Sequence, residues 1–462
     1  MEKNEKLHWS AYNIYNEVDD SVCILQGYTG ALNCIDKSDY EILKGSAFSE
    51  VQANKVLGTE AVKKLADRGI LTSLSKEEEH RNVVALGNVI DRQEKKSFAV
   101  TLVVTYYCNF RCFYCFENVA EKDIESMKNT VIQKEAVDDI FLFIDKRIAE
   151  GKKLSNFTLF GGEPLLKENR EFIEYILNKI HEYDVKVHAI TNGYDLDDYF
   201  DLIKKGYIHK LKITLDGIGE AHNCRRCHTT DSDSFSKIVS NIDYLLENTD
   251  VAVWLSGNIN VDNYDDVIKL IDFYSEKGWD NKKNFDYFFK SLHSCYEKDE
   301  SKKINDYILG NMIDKRYRYE HVAGYNRMKL RFDEPIKNSN IPHLSAEACK
   351  ASGEMYVIDF ERKVYPCWER IGEEESIIGN IHDGGIFIET PKFVYWQNRK
   401  SYKMPVCSNC PYVFICCGQC PSHSYVLYGD IYRNNCSDNK KLLNECIKMT
   451  VKDIMVKDRG FE

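Results

Sequence analysis

Phe98-Ala99-Val100-Thr101-Leu102-Val103-Val104-Thr105 leads, two residues later, into Cys108-Asn109-Phe110-Arg111-Cys112-Phe113-Tyr114-Cys115. The first stretch is a continuous apolar, β-branched run, the pattern of a buried strand. The second sets three cysteines in a CxxxCxxC spacing, with an aromatic residue just before the third. Three thiolates on one short loop at a strand end leave one iron of a four-iron cubane without a protein ligand, open to a small molecule. A zinc knuckle or three buried structural thiols is the competing reading of these residues alone.

Working outward, apolar strand runs alternate with amphipathic helices from Phe98 to about residue 292. The strands are expected at 98–105, 157–160, 185–190, 211–215, 251–256 and 285–289. This alternation predicts an α/β fold of parallel strands with right-handed crossovers. Reactive groups then belong on loops at the C-terminal strand ends. Polar motifs fall there: Gly161-Gly162-Glu163-Pro164 after the second strand, Thr191-Asn192-Gly193 after the third, and Thr214-Leu215-Asp216-Gly217 closing the fourth. Glycines let backbone groups approach a ligand closely, and a fixed carboxylate accepts from an ammonium group. Strand alternation puts Thr214 and Asp216 on one face, where short polar groups suit ribose hydroxyls. The alternative is a strand-end turn in which Asp216 satisfies backbone donors.

The cysteine spacing, with GGEP one strand later, resembles the signature of radical S-adenosylmethionine (SAM) enzymes, and the six strand–helix units match that family's partial (β/α)6 barrel. The resemblance implies that Cys108, Cys112 and Cys115 ligate a 4Fe–4S cluster whose open iron binds the amino and carboxylate groups of SAM. Electron transfer then cleaves SAM to a 5′-deoxyadenosyl radical. By the same resemblance Tyr114 lies near the adenine, and Gly161, Gly162, Glu163 and Pro164 near the methionine amino group. Asn192, Thr214 and Asp216 are expected among the SAM contacts, and Arg226 to hold a SAM or peptide carboxylate. His222 and Arg226 resemble the family's His-Asp-x-x-Arg segment, but Asn223 stands where that segment has Asp. Cys224 and Cys227 form a CxxC pair with no second pair nearby and are read as incidental.

The chain holds 17 cysteines, nine of them from Cys349 to Cys446 and seven of those from Cys407 onward. In a reducing compartment, clustered cysteines point to metal or catalysis and not to disulfides. Cys407-x2-Cys410-x5-Cys416-x3-Cys420, followed by Cys436, resembles the core of the SPASM domain, which holds two auxiliary iron–sulfur clusters. Cys349 and Cys367, within Tyr365-Pro366-Cys367, fit its leading pair; Arg362 stands where the family has Gly, a change expected to alter only a turn. The resemblance implies one auxiliary cluster on Cys407, Cys410, Cys416 and Cys436 and a second, nearer SAM, on Cys349, Cys367 and Cys420, making three 4Fe–4S clusters in all. Fully ligated members have a further Cys shortly after the first, and residues 351–363 contain none. Cys417, Cys295 or a substrate thiolate is left to fill that iron. Zinc is the alternative for CxxC pairs.

Near the start, Val22 to Ile35 reads as two strands around a glycine turn. Helices are expected over 39–43 after Ser38, 50–57 after Ser49 and 60–68 after Thr59, with Gly69 as a stop and Ile70-Leu71-Thr72 as a closing strand. This order resembles the winged-helix peptide-recognition elements fused to peptide-modifying enzymes; a DNA-binding winged helix or a structural cap is the alternative. Cys23 and Cys34 are read as core thiols. The expected domains are a leader-recognition element at 1–75, a bridging segment at 76–97 and the radical SAM partial barrel at 98–292. A bridging region at 293–344, a SPASM domain at 345–446 and a C-terminal helix or tail at 447–462 complete the chain.

Charge narrows the function. Against 62 Lys and Arg stand 73 Asp and Glu, a net −11, which disfavours a general nucleic-acid binder. No stretch reaches the roughly 18 apolar residues of a membrane span, and no apolar signal core follows the charged start, so a cytoplasmic protein is expected. By resemblance the expected activity is thioether (C–S) crosslinking in a Cys-containing precursor peptide with a leader. A flavodoxin or ferredoxin is the expected reducing partner. The rivals are carbon–carbon crosslinking, anaerobic sulfatase maturation, and an iron–sulfur redox-sensing regulator.

Overall fold

The computed structural model describes residues 6–45, 47–117, 127–128, 130–292, 304–312, 321–338, 341–434, 436 and 439–458. The chain divides into two compact units, one of residues 1–94, 324–349 and 398–462, the other of 95–323 and 350–397.

The first unit opens with β1 (Lys6–Trp9), β2 (Asn13–Val18), β3 (Ser21–Gln26), β4 (Leu32–Asp36), β5 (Phe48–Ser49) and β6 (Leu71–Thr72). β2, β3 and β4 form an antiparallel meander, and β1 lies between β5 and β6. The expected strand pair is β3 and β4. β2 escapes pattern reading because Asn13 and Asn16 occupy buried positions that an amphipathic strand would fill with apolar residues. Helices Lys37–Leu43, Glu50–Leu57 and Thr59–Asp67 follow. Ser49 and Gln52 close a capping box, Gln52 N donating to Ser49 Oγ (3.2 Å) and Ser49 N to Gln52 Oε1 (2.9 Å). The third helix is capped by Gly58 and not by Thr59. Val22, Ile24, Leu43, Phe48, Val62, Leu65, Ile70 and Leu71 form the core beneath them.

Cys23 and Cys34 face each other directly across β3 and β4, their Cα atoms 4.0 Å apart, and are disulfide-bonded. Strand register, invisible in the cysteine count, brings together what reads in sequence as two free thiols. Residues 76–94, read as a charged bridge, form the helix Lys76–Glu94. It is held by an approach so close that a Cβ on Gly87 would sit 2.2 Å from the Tyr402 ring. Glu79, fully buried, accepts from Ser10 Oγ and from Ala11 N (3.0 Å). Buried Lys400 pairs with Asp91 (3.1 Å) and Glu347. These contacts tie the cysteine-rich C-terminal segment and the N-terminal helix into one unit.

In the second unit β7 (Ser97–Val103) runs into the cysteine loop, which contains the short strand β8 (Phe110–Cys112). β9 (Lys153–Phe160), β10 (Val187–Thr191), β11 (Lys210–Thr214), β12 (Arg226–His228), β13 (Ala252–Ile259) and β14 (Phe285–Ser291) follow. β7, β9, β10, β11, β13 and β14 stand side by side in that order, all parallel. Helices between them, such as Lys134–Ala149, Arg170–Ile180 and Ser234–Asn248, cover one face. Leu211 and Ile213 are fully buried, alternating with half-buried Lys210, Lys212 and Thr214 on the opposite face. This is the partial barrel of the expected α/β fold, with every expected strand present.

The sheet does not stop there. β15 (Met355–Ile358) pairs parallel with β7, and β16 (Lys363–Tyr365), β17 (Gly379–His382) and β18 (Ile386–Glu389) extend it antiparallel to ten strands. Glu354, 4% exposed, takes ion pairs from Arg147 (2.6 Å) and Lys152 (2.8 Å) at the start of β15. Arg362 lies at φ +66 in the β15–β16 turn. That left-handed backbone favours glycine, and Arg362 keeps it through pairs with Asp139 and Asp383 (2.8 Å). The departure from the family's glycine is therefore met by local ion pairs. Among the described residues no helix is long and apolar enough to cross a membrane.

Candidate active site

The GGEP loop lies backbone-to-backbone against the residues that lead into the cysteines. Gly162 N donates to Thr105 O and Glu163 N to Tyr107 O, both at 2.9 Å. A Cβ on Gly161 (φ +137) would fall 2.3 Å from Thr105 O, and one on Gly162 2.3 Å from Tyr107 O. Neither site admits a side chain. The Glu163 carboxylate turns inward, accepting from Thr191 Oγ1 (2.7 Å), Asn192 N (2.6 Å) and Leu165 N (2.9 Å). It laces the ends of β9 and β10 together, and burial pushes its carboxyl up to about 7. The carboxylate read as an acceptor for a ligand ammonium group thus has three protein donors. Pro164 O accepts from Asn169 Nδ2 (3.2 Å).

Cys108 is buried and its Sγ accepts from Phe110 N (3.3 Å) and Asn192 Nδ2 (3.9 Å). Asn192 Nδ2 also donates to Asn109 Oδ1 (2.7 Å), and Asn109 Nδ2 to Asp195 (3.3 Å). Cys112 stands opposite Arg226 in the β8–β12 ladder, and Cys115 N donates to Cys112 O (3.1 Å). Burial raises the thiols of Cys108 and Cys112; at Cys112 the Arg226 guanidinium works against it.

Tyr114 is the junction of the site. Its hydroxyl donates to Asp216 Oδ2 and accepts from Arg226 Nη1 (2.8 Å) and Asn258 Nδ2 (3.1 Å). Asp216, fully buried, takes Asn258 N on Oδ1 (2.7 Å), and its carbonyl takes Asn263 Nδ2 (3.0 Å). Thr214 meets Ser256 hydroxyl to hydroxyl (3.3 Å). His222 is buried beneath, its Nδ1 accepting from Asp216 N (3.4 Å) and its imidazole lowered to about 3 by burial and then by Arg226. Tyr114, Asp216 and Arg226 thus converge, as do Cys108, Glu163 and Asn192. Asn258, Asn263, Ser256, Asn109 and Asp195 belong to the same site and were not singled out from sequence. The available signal was Ser256-Gly257-Asn258-Ile259-Asn260, small and polar residues ending an apolar strand.

The C-terminal cysteines fall mostly in the first unit. Burial pushes the Cys407 thiol up to about 12, and the charges of Cys416, Cys436 and Cys410 add to the rise. Gln419 Nε2 donates to Cys416 Sγ (3.2 Å), Asn434 Nδ2 to Cys436 Sγ (2.7 Å), and His423 N to Cys420 Sγ (3.5 Å). Cys417, fully buried at φ +57, donates to Ser345 O (3.1 Å) and faces Arg331 Nη1 (3.7 Å). Cys349 is exposed in the first unit; Cys367 is buried in the second, at the start of the turn Trp368–Arg370. Cys295 lies outside the described residues. Cys224 and Cys227 are exposed, Cys227 Sγ donating to Cys224 O (3.2 Å).

These surroundings fit iron–sulfur clusters. The donors are thiols, with N–H groups aimed at the sulfurs of Cys108, Cys416, Cys420 and Cys436. Hydrogen bonds to sulfur orient thiolate ligands and tune the metal group they bind.

Comparison with known proteins agrees. Residues 102–285, from β7 to the start of β14, match the radical SAM superfamily. The chain is 26% identical over 357 residues to the radical SAM cyclopropyl synthase TigE of Paramaledivibacter caminithermalis, covering 72% of this chain and 70% of TigE. It is 26% identical over 339 residues to the cysteine-type anaerobic sulfatase-maturating enzyme of Clostridium perfringens, covering 68% of this chain and 85% of that enzyme. Its fold is similar to that of Streptococcus suis SuiB bound to precursor peptide SuiA, with a TM-score of 0.52 and 14% identity over 93% of this chain and 99% of SuiB. Three cysteines, the GGEP loop and Asp216 all fall at strand ends within the matched span, so residues 102–285 form a radical SAM domain and the chain that carries it is an enzyme.

Proposed function

We propose that this enzyme matures a ribosomally made, Cys-containing precursor peptide by installing thioether (C–S) crosslinks. The observation that carries the peptide reading is a groove of about 690 Å³ in the first unit, one wall of which is the edge strand β4. Asp67 and Arg68 at the end of the third helix line it, and Ile336, Ile341, Val451, Ile454 and Met455 make its apolar side. An edge strand beside an apolar wall takes an extended peptide by β-addition, main-chain bonds supplying affinity and the wall specificity. This groove is assigned to the leader. SuiB, of similar fold, binds a precursor peptide.

Cys108, Cys112 and Cys115 hold the SAM-binding 4Fe–4S cluster. Following the SPASM resemblance, Cys407, Cys410, Cys416 and Cys436 would hold one auxiliary cluster, with Cys349 and Cys420 in the first unit and Cys367 in the second left as candidate ligands of another. When bound, the first cluster supplies the electron that cleaves SAM to the 5′-deoxyadenosyl radical. With SAM bound, the backbone of Gly161–Pro164 and Asn192 would serve its methionine end and Thr214 and Asp216 its ribose side, while Arg226 sets a fixed cation beside Tyr114. Glu163 keeps the loops around Cys108 closed. A flavodoxin or ferredoxin reduces the enzyme.

Anaerobic incubation with SAM, reductant and a co-encoded Cys-rich peptide tests the reading. Loss of two hydrogens together with a free thiol supports a thioether. The same mass loss with every thiol still alkylatable overturns it in favour of carbon–carbon bond formation, the reading favoured by the likeness to a cyclopropyl synthase.

A further inference from the structure

Lys210 and Lys212 interrupt the apolar run of β11. Both lie half-buried on the face turned away from the helices, alternating with fully buried Leu211 and Ile213. The same alternation puts Phe288 and Lys290 of β14 on that inner face, beside buried Tyr287 and Phe289. Between the two strands runs β13, with Trp254 in register with Lys212 and Asn258 in register with Lys290. Lys210 Nζ lies 3.5 Å from the centroid of the Trp254 ring, and Lys212 Nζ 4.9 Å from that of Phe288. Ring faces attract ammonium groups but bring no counter-charge. Asp286, in register with Trp254, bears on Lys210, yet among the described residues none of Lys210, Lys212 and Lys290 makes an ion pair. Burial, then the like charges of Lys290 and Lys210, lower the Lys212 ammonium to about 7. Cations gathered out of water without an anion are costly, and an opposite charge beside them favours their protonated form. Their position is equally specific. Thr214 stands two residues beyond Lys212 on the same face, a step of about 7 Å. Asn258, beside Lys290, donates to the Tyr114 hydroxyl (3.1 Å). The lysines therefore line the inner face directly beneath the strand-end site.

We propose that Lys212 and Lys290, with Lys210 behind them, form a carboxylate-binding site on the inner face of the partial barrel. The substrate it selects is a peptide with an Asp or Glu side chain, or its C-terminal carboxylate, close to the residue that is modified. The inference rests on the peptide-maturase reading above and narrows its substrate class. Charge-assisted bonds from two ammonium groups to one carboxylate are strong where water is partly excluded. Anchored there, the peptide presents its neighbouring carbon to the strand ends.

The test gives the reconstituted full-length enzyme its co-encoded precursor peptide in three forms. One is unaltered, one has every Asp and Glu after the leader replaced by Asn or Gln, and one is amidated at its C-terminus. With the parent enzyme, one altered peptide is expected to lose at least ten-fold in kcat/KM, and which one identifies the carboxylate. Lys212→Gln and Lys290→Gln should each lower kcat/KM for the unaltered peptide and narrow its ten-fold advantage over that altered form, because the pairing is already broken. Equal turnover of all three peptides by the parent enzyme overturns the proposal, as does a full ten-fold advantage persisting in both variants. Should the variants fail to fold, carbodiimide coupling of the unaltered peptide to the parent enzyme decides. An amide between a peptide carboxylate and Lys212 or Lys290, found by mass spectrometry, supports the site; coupling elsewhere, or none, overturns it. An enzyme that cleaves SAM yet modifies none of the three peptides overturns the peptide reading and this site with it, a different and recognisable failure.

Discussion

Tyr114, in the cysteine loop, donates its hydroxyl to Asp216 at the end of β11, 102 residues further along the chain. The bond fixes the cysteine loop to the fourth barrel strand, and Arg226 (2.8 Å) and Asn258 (3.1 Å) close the arrangement from two further elements. Replacing Tyr114 by Phe leaves Asp216 Oδ2 and Arg226 Nη1 each short of a partner, at about 2 kcal/mol. The Tyr114→Phe enzyme should keep its iron yet cleave SAM about ten-fold more slowly, the equivalent of roughly 1.4 kcal/mol of lost positioning. The rate of 5′-deoxyadenosine formation checks this, and a parent-like rate would remove the network from the mechanism.

Gly162→Ala should damage the same loop from its other side. The added Cβ would meet two backbone oxygens, Tyr107 O at 2.3 Å and Tyr106 O at 2.5 Å, which no side-chain rotation relieves. A loss of about 2–4 kcal/mol is expected, confined to the loop. Far-UV circular dichroism should stay unchanged while SAM affinity, measured by equilibrium dialysis on the reconstituted enzyme, falls.

Ile341 is 59% exposed and lines the groove beside β4. Because it contributes little to the core, Ile341→Asp should leave stability and peptide-independent SAM cleavage intact. Affinity for a labelled precursor peptide, read by fluorescence anisotropy, should drop at least ten-fold, about 1.4 kcal/mol. Unchanged affinity would move the leader site elsewhere.

Asp359 gives a pH prediction away from the cysteines. It is 1% exposed, accepts from Tyr106 Oη (2.9 Å), Glu361 N (3.0 Å) and Lys363 N (2.9 Å), and burial raises its carboxyl from 3.8 to about 6. The folded chain therefore keeps a proton that the unfolded chain has lost between these two values. This contribution is fully present below pH 3.8, declines as pH rises toward about 6 and is flat above it, for a total of about 3 kcal/mol. Asp359→Asn cannot titrate there. The stability difference between parent and variant, from urea midpoints at several pH values, should change across this window and stay constant beyond it.

Much of this was legible in the chain. The apolar runs announced six parallel strands, and each lies within a few residues of its expected bounds, because short apolar, β-branched runs bounded by turn residues are the pattern strands leave. The spacing of Cys108, Cys112 and Cys115 and the paired glycines at 161 and 162 marked the site, since three thiols on one loop and two vanished side chains are local facts. Arg362 was seen as a departure, and its positive φ supplies the reason a glycine is usual there.

What sequence could not decide was partnership across distance. Periodicity assigns Asp216 to a strand end but does not say that its carboxylate meets Tyr114 and Asn258. Nor does it say that Glu163 faces inward to Thr191 and Asn192, that Cys23 opposes Cys34, or that β15 pairs with β7 to carry the sheet to ten strands. A residue's own neighbours along the chain set its propensity and its face. Its hydrogen-bond partners depend on which strand closes against which, and in what register, and only the assembled fold fixes that.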